Sequence, residues 1–199
     1  DEGGIDTATS TNETYYATGF YTNATTTAEN LTDDSVGTHS PATSGDPSAN
    51  TTTKKFGASS AYFDGNDSFT VTDHADWQLG SGTGDFTVDF WVRHDSIGSD
   101  LYFGMEEDND NRYNMFFHAS NGITFHEIDA TDVNINVNQG STSGWVADTW
   151  YHVALIRGWG GVTNDWAVTR NGATILTFTN TSAIADHTDL FRIGSTGQA

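Results

Sequence analysis

From Phe56 onward, apolar and polar residues alternate with a period of two, the pattern of strands that bury one face. Ala61 and Phe63 alternate with Ser60 and Tyr62, and Phe69 and Val71 with Ser68, Thr70 and Thr72. The cleanest run sets Phe86, Val88, Phe90 and Val92 against Thr87, Asp89, Trp91 and Arg93. Leu101 and Phe103 precede an acidic loop, residues 106–111, and Tyr113, Met115 and Phe117 follow it. Asn121-Gly122 is a turn leading to Ile123 and Phe125, and Val133, Ile135 and Val137 alternate with Asp132, Asn134, Asn136 and Asn138. Residues 150–157 and 166–170 pair across a Gly-rich loop at 158–161. Asn171-Gly172 then closes a hairpin onto residues 173–179, and residues 190–193 form the last strand. No segment carries a sustained helical period. About ten short strands with regular turn signals predict an all-β, antiparallel jelly-roll β-sandwich.

The first quarter reads differently. Residues 1–14 are small, polar and acidic, an arm or linker, and residues 15–199 are expected to form one sandwich domain. Residues 15–21 are the first plausible strand. A long Thr-rich loop is expected at about 22–53, holding both prolines, Pro41 and Pro47, and at most one short strand. So long a structureless stretch suits packing on a neighbour.

The residues from Phe56 resemble a known family. Residues 56–65, Phe-Gly-Ala-Ser-Ser-Ala-Tyr-Phe-Asp-Gly, followed by Phe69-Thr70-Val71, look like the opening of laminin-G-like domains of the concanavalin A-like lectin/glucanase superfamily. Residues 84–93 resemble that family's most recognisable strand, and residues 149–157 its Trp-His-His-Val-Ala segment. The resemblance covers about residues 56–194. It implies two curved sheets whose concave face or rim loops bind glycans or proteins, often with calcium. The chain departs from the family in lacking a final Ile-Asp-Glu-Phe-like strand, so edge pairing must come from the arm, from further sequence or from a neighbouring chain.

Charge narrows the partners. With 27 acidic residues against 7 basic ones, the net charge is −20. Binding to nucleic acid or an anionic membrane needs Lys and Arg contacts that are scarce here, while cations would relieve the self-repulsion. No apolar run approaches the roughly 20 residues of a membrane span. The absence of cysteine excludes disulfides, thiolate metal sites and cysteine nucleophiles. A start at Asp1 reads as a piece of a longer chain.

Four groups of residues carry candidate chemistry. Glu106 to Asn111 concentrates the hard oxygen ligands that calcium takes; the loop resembles the Asp-Asn pair of pentraxins, which makes Asp108, Asp110 and Asn111 candidate ligands beside the reading of a solvated acidic loop. The Asp64-Gly65-Asn66-Asp67 turn is a second, weaker calcium candidate. Trp145 and Trp159 sit in Gly-containing loops, where a flat ring either stacks on sugar or folds back over the sandwich edge. Trp77, Trp91, Trp150 and Trp166 read as core. Asn134 and Asn136 belong to a polar row able to hydrogen-bond a glycan. Residues 127–132, Glu-Ile-Asp-Ala-Thr-Asp, look like a laminarinase-type hydrolase strand, but a turn at 129–131 breaks the strand and leaves turn carboxylates as the default reading.

The sequence therefore predicts a non-catalytic recognition module, glycan-binding, on a secreted or virus-particle protein. Its partners would be a glycan or surface protein and neighbouring chains of an assembly. The alternatives are a structural decoration protein of a capsid, tail or filament, and a glycoside hydrolase acting through Glu127 and Asp132.

Overall fold

The computed structural model describes residues 20–22, 31–33, 39–130 and 132–195. Among the described residues, fifteen strands run in chain order: β1 (Phe20–Thr22), β2 (Leu31–Asp33), β3 (Ala42–Ser44), β4 (Ser48–Asn50), β5 (Ser60–Tyr62), β6 (Ser68–Val71), β7 (Phe86–Arg93) and β8 (Asp100–Asp108). They continue with β9 (Asn111–His118), β10 (Gly122–Asp129), β11 (Asp132–Asn138), β12 (Trp150–Arg157), β13 (Asp165–Arg170), β14 (Ala173–Thr179) and β15 (Phe191–Gly194). Helical turns among the described residues are single 3-10 turns.

Two antiparallel sheets form a sandwich. One has seven strands in the order β11-β10-β9-β8-β15-β6-β3, the other four in the order β14-β13-β12-β7. Period two explains which side chains meet between them, because successive residues of a strand point to opposite faces. Phe86, Val88, Phe90 and Val92 of β7 face inward, as do Tyr151, Val153 and Leu155 of β12, and Tyr113, Met115 and Phe117 of β9. Trp166, Phe125, Ile135 and Ile184 complete the most deeply buried part of that core. Burying side chains of this size is worth about 1.5–3 kcal/mol each relative to leaving them in water.

Turn chemistry fixes the registers. Asn171 and Gly172 both take positive φ, 51° and 78°, as the two-residue turn of a right-twisted hairpin requires, and Arg170 pairs with Ala173 across it. Ala130, with φ 49°, lies in the break between β10 and β11, which separates Glu127 from Asp132.

The N-terminal quarter departs from expectation. Residues 1–19 lie outside the described residues, and with them the polar arm and the first part of the expected strand at 15–21. Inside the expected loop at 22–53 stand β2, β3 and β4. β3 adds an edge strand to the large sheet by pairing with β6, and β4 pairs with β5. Every residue of β3 is exposed, so no apolar alternation marks it. Its partner β6, buried along its length, imposes the strand.

Candidate functional site

Inward placement of Phe90 and Val92 has a necessary consequence: Asp89, Trp91 and Arg93 point outward from the four-stranded sheet. Register carries the same face onto β12, where Trp150 sits opposite Arg93, His152 opposite Trp91 and Ala154 opposite Asp89. Trp91 is 38% exposed. It is therefore no core residue, contrary to the sequence reading, and Trp150 beside it is half-buried on the same outer face. Trp77 and Trp166 are buried as expected.

These rings floor a concavity of about 450 Å³ lined by Lys55, Trp91, Trp150, His152 and Asn171, a size within the range of small-molecule sites. Its wall comes from the segment between β4 and β5. The Phe56 ring meets Trp91 edge-on at 5.5 Å, and the Lys55 ammonium lies 4.2 Å from the Trp91 ring centre. An exposed cation–π contact of this kind is worth about 0.5–1 kcal/mol, little enough for a ligand to displace. His152 Nε2 is 2.6 Å from Asp89 Oδ2, which fixes the imidazole, and the ring lies 5.3 Å from Trp91. Asn171 is held from the β13–β14 turn: its Oδ1 accepts the His152 amide N–H at 2.9 Å, and its own N–H donates to the His152 carbonyl. That leaves the Asn171 amide nitrogen as the donor it can offer. Arg93, at the edge of the same face, is engaged by Asp95 and Asp148.

The residues singled out from sequence are placed elsewhere and do not converge. Trp145 folds back: it is 6% exposed, its Nε1–H donates to Gln139 Oε1 at 2.9 Å, and its ring packs on Tyr151 and Phe117 with the Arg170 guanidinium 5.0 Å away. Trp159 is exposed, but follows the far end of β12, with the sheet's length between it and Trp145. Asn134 is half-buried at the bulge of β11, beside Glu127, and its carbonyl accepts from Asn180. Asn136 stands opposite His126 on the outer face of the large sheet.

Asp108, Asp110 and Asn111 build the β8–β9 hairpin. Asp108 Oδ1 accepts the Asp110 N–H at 2.8 Å and an Asn111 amide hydrogen at 3.0 Å. The Asp110 amide, chiefly, holds the Asp108 carboxyl below its ordinary range, and Asn111 Oδ1 accepts from Ala130 N–H. Asp108 Oδ1 and Asn111 Oδ1 thus serve the turn.

Carboxylates converge instead at the turn 64–67. Oxygens of Asp46, Asp64 and Asp67 lie within 4.8 Å of one another. Asp67 is buried. Its Oδ1 accepts the Asp46 N–H at 2.8 Å and its Oδ2 the Asp64 N–H at 3.1 Å. Burial alone would raise its pKa, but those amide donors outweigh it and the carboxyl sits below its usual range. Gly45 is required there: its φ is +73°, and a Cβ would come 2.3 Å from Asp67 Oδ1.

Glu127 is fully buried between the sheets. Burial raises its pKa against the partial opposition of Asn134 and the Ala185 amide, and His187 Nε2 lies 3.8 Å away. A side chain closed off in this way does not reach a polysaccharide, which removes the geometric basis for a Glu127–Asp132 pair of catalytic carboxylates.

Two stacked antiparallel sheets with an aromatic concavity on one outer face define an all-β sandwich domain. Residues 63–199 match the family described as the concanavalin A-like lectin/glucanases superfamily, more than half of the chain, and the chain belongs to it. No curated protein matches the chain. Among solved structures it is similar to domain 4 of AbnA, a GH43 extracellular arabinanase from Geobacillus stearothermophilus, in complex with arabinotriose. The identity is 16% and the TM-score 0.57, over 79% of this chain and 73% of that one. It is also similar to the binding domain of botulinum neurotoxin DC, solved with rat synaptotagmin II at 11% identity and TM-score 0.54, and with SialylT at 13% and 0.54. In both cases 82% of this chain is covered, and the chain spans 40% of the neurotoxin chain. Identities this low establish likeness of fold.

Proposed function

We propose that this domain is a non-catalytic recognition module that binds a glycan in the concavity floored by Trp91 and Trp150. The observation that carries the reading is the exposed Trp91 ring set among His152, Asp89 and Asn171. A flat ring matches the apolar C–H face of a sugar, and fixed polar groups beside it meet the hydroxyls, the division of labour typical of small-ligand sites. The arabinotriose bound to the arabinanase domain and the SialylT bound to the neurotoxin domain support glycan as the ligand class. A net charge of −20 favours a neutral glycan over a polyanionic one. The setting that fits is extracellular or a virion surface, where such a domain meets glycans or surface proteins.

Calcium belongs to this reading as a structural ion. Asp46, Asp64 and Asp67 offer the hard oxygen donors that Ca2+ takes. They would tie the 45–46 segment to the turn 64–67.

A second reading, structural attachment within a larger assembly, rests on two exposed features. Phe56 presents an uncovered ring, and β7 ends the small sheet among the described strands, as an edge open to a further strand.

A glycan array that includes neutral arabino-oligosaccharides and sialylated glycans, run with and without Ca2+, tests the first reading. Binding that Trp91→Ala weakens about ten-fold or more, with the fold intact, supports it. No binding at high protein concentration, or binding indifferent to Trp91→Ala, overturns it.

A further inference from the structure

We propose that His39, His74 and Asp76 form a site for a divalent transition-metal ion of the zinc type, separate from the aromatic concavity and from the carboxylate cluster. The three side chains come from two stretches of chain more than thirty residues apart, yet one ligand atom from each lies within 4.8 Å of the others. His39 Nε2 is 3.0 Å from Asp76 Oδ2, and His74 Nδ1 is 3.1 Å from the same oxygen. Neighbouring donors on a metal bound at about 2.0–2.1 Å stand roughly 2.9–3.4 Å apart, so both distances fit a shared ion. Two imidazole nitrogens and a carboxylate are a donor set for borderline metals rather than for calcium.

Local hydrogen bonding already aims the ligand atoms at one another. His74 caps the 3-10 turn Ala75–Trp77, and its Nδ1 accepts the Asp76 N–H at 3.2 Å. The same nitrogen stands 3.1 Å from Asp76 Oδ2, the separation of two donors on one ion. On loading, the metal takes the Nδ1 lone pair in place of the amide.

The surroundings hold the ligands in position. The His39 ring packs 4.6 Å from Trp77, whose own ring stacks on Phe191 at 4.7 Å and whose Nε1–H donates to the Thr72 carbonyl. The site is thus built on the core at the junction of the N-terminal segment with the β6–β7 connection. Its open side is at His74, whose side chain is 55% exposed, which leaves room for water to complete the coordination. A bound ion would clamp residue 39 to that connection and stabilise the fold, since metal binding to the folded chain alone adds to folding free energy.

The test is titration of the chelator-treated chain with ZnCl2, followed by calorimetry and by thermal unfolding. The expected result is one saturable site that raises the unfolding temperature. His74→Ala and Asp76→Asn should each weaken it about ten-fold or more. Asp64→Asn, in the carboxylate cluster, should leave the zinc isotherm unchanged, and millimolar Ca2+ should not displace the ion. His74 is exposed enough that its alanine variant keeps the fold, which tryptophan fluorescence verifies. A flat zinc isotherm for the unmodified chain, or isotherms of both variants that match it, overturns the proposal. So does displacement of zinc by Ca2+. None of these outcomes depends on glycan binding.

Discussion

The two outer faces of the sandwich present opposite chemistry. On the four-stranded sheet, Trp91, Trp150 and His152 lie side by side, walled by Lys55 and Phe56. On the seven-stranded sheet, one register row runs Asn136, His126, Asn114, Gly104, Arg192, Thr70 and Ala42. That row is polar and small, with Gly104 at its middle, where a Cβ would come 2.5 Å from the Tyr113 carbonyl. The first face offers a large apolar area beside a few fixed polar groups, the composition from which binding energy is concentrated in a handful of residues. The second offers hydrogen-bonding groups that are largely covered or engaged: Asn114 and Thr70 are buried, and Arg192 is held by Asp189. The comparison teaches that recognition here is sited by ring exposure next to oriented donors rather than by the number of polar side chains.

Four measurements break or sharpen that contrast. The largest effect is expected from Trp91→Ala combined with Trp150→Ala, which should abolish glycan binding by calorimetry, a loss of about 3 kcal/mol or more. Urea unfolding should show stability changed far less than by Trp166→Ala, whose fully buried ring is worth about 3–5 kcal/mol. If the double variant binds normally, the small-sheet face is not the site.

Next comes Asp67→Asn, expected to cost about 1–3 kcal/mol, because a buried carboxylate accepting two amide hydrogens is replaced by a group that can accept at only one of its two terminal atoms. The folded chain holds Asp67 below its ordinary value of 3.8. Its ionised form therefore adds stability that is complete above that value and is lost as pH falls through the lower folded value. The variant should lack this part of the acid transition, followed by fluorescence against pH. An unchanged acid limb would show that Asp67 does not anchor the turn.

A smaller effect is expected from Glu127→Gln. Burial raises this carboxyl above its ordinary 4.5, so its contribution is complete below that value and declines as pH rises through the folded value. The amide should make the chain modestly more stable at neutral pH and leave glycan binding untouched, read by urea melts at pH 5 and pH 7. His187 acts in the opposite sense. Burial lowers its pKa below 6.5, so its contribution is complete above that value and is lost as pH falls through the folded value. The smallest effect is assigned to Asn136→Ala, which should change glycan affinity by less than about 0.5 kcal/mol. A large loss there would move recognition to the seven-stranded face.

Much of the framework is legible in residue order. Alternation at residues 86–93 sets which side chains enter the core, and it also turns Trp91 outward. Reading Trp91 as core from its family strand overlooked its own parity. Asn171-Gly172 fixes a hairpin because few other pairs tolerate two positive φ values. The break between β10 and β11 is legible from parity: one continuous strand would send Glu127 and Asp129 inward with Phe125 and Ile135, and the turn at 129–131 leaves Asp129 exposed, although Glu127 is buried all the same. Trp145 in Ser143-Gly144-Trp145 carries no such signal. Whether a loop ring folds inward depends on partners such as Tyr151, Phe117 and Arg170, which a local pattern does not contain.

Local pattern by itself determined most strands from Phe56 onward, most of their inward faces and the family they belong to, because a two-residue period and its turns are local consequences of backbone geometry; Val133, turned outward by the bulge at Asn134, is an exception. Tertiary structure alone decided the rest. It drew β3 into the large sheet, set Lys55 and Phe56 over Trp91, gathered Asp46 with Asp64 and Asp67, and brought His39 to His74 and Asp76. Each of those contacts joins residues far apart in the chain, and their distances follow from how the sheets stack and pair rather than from any spacing along the sequence.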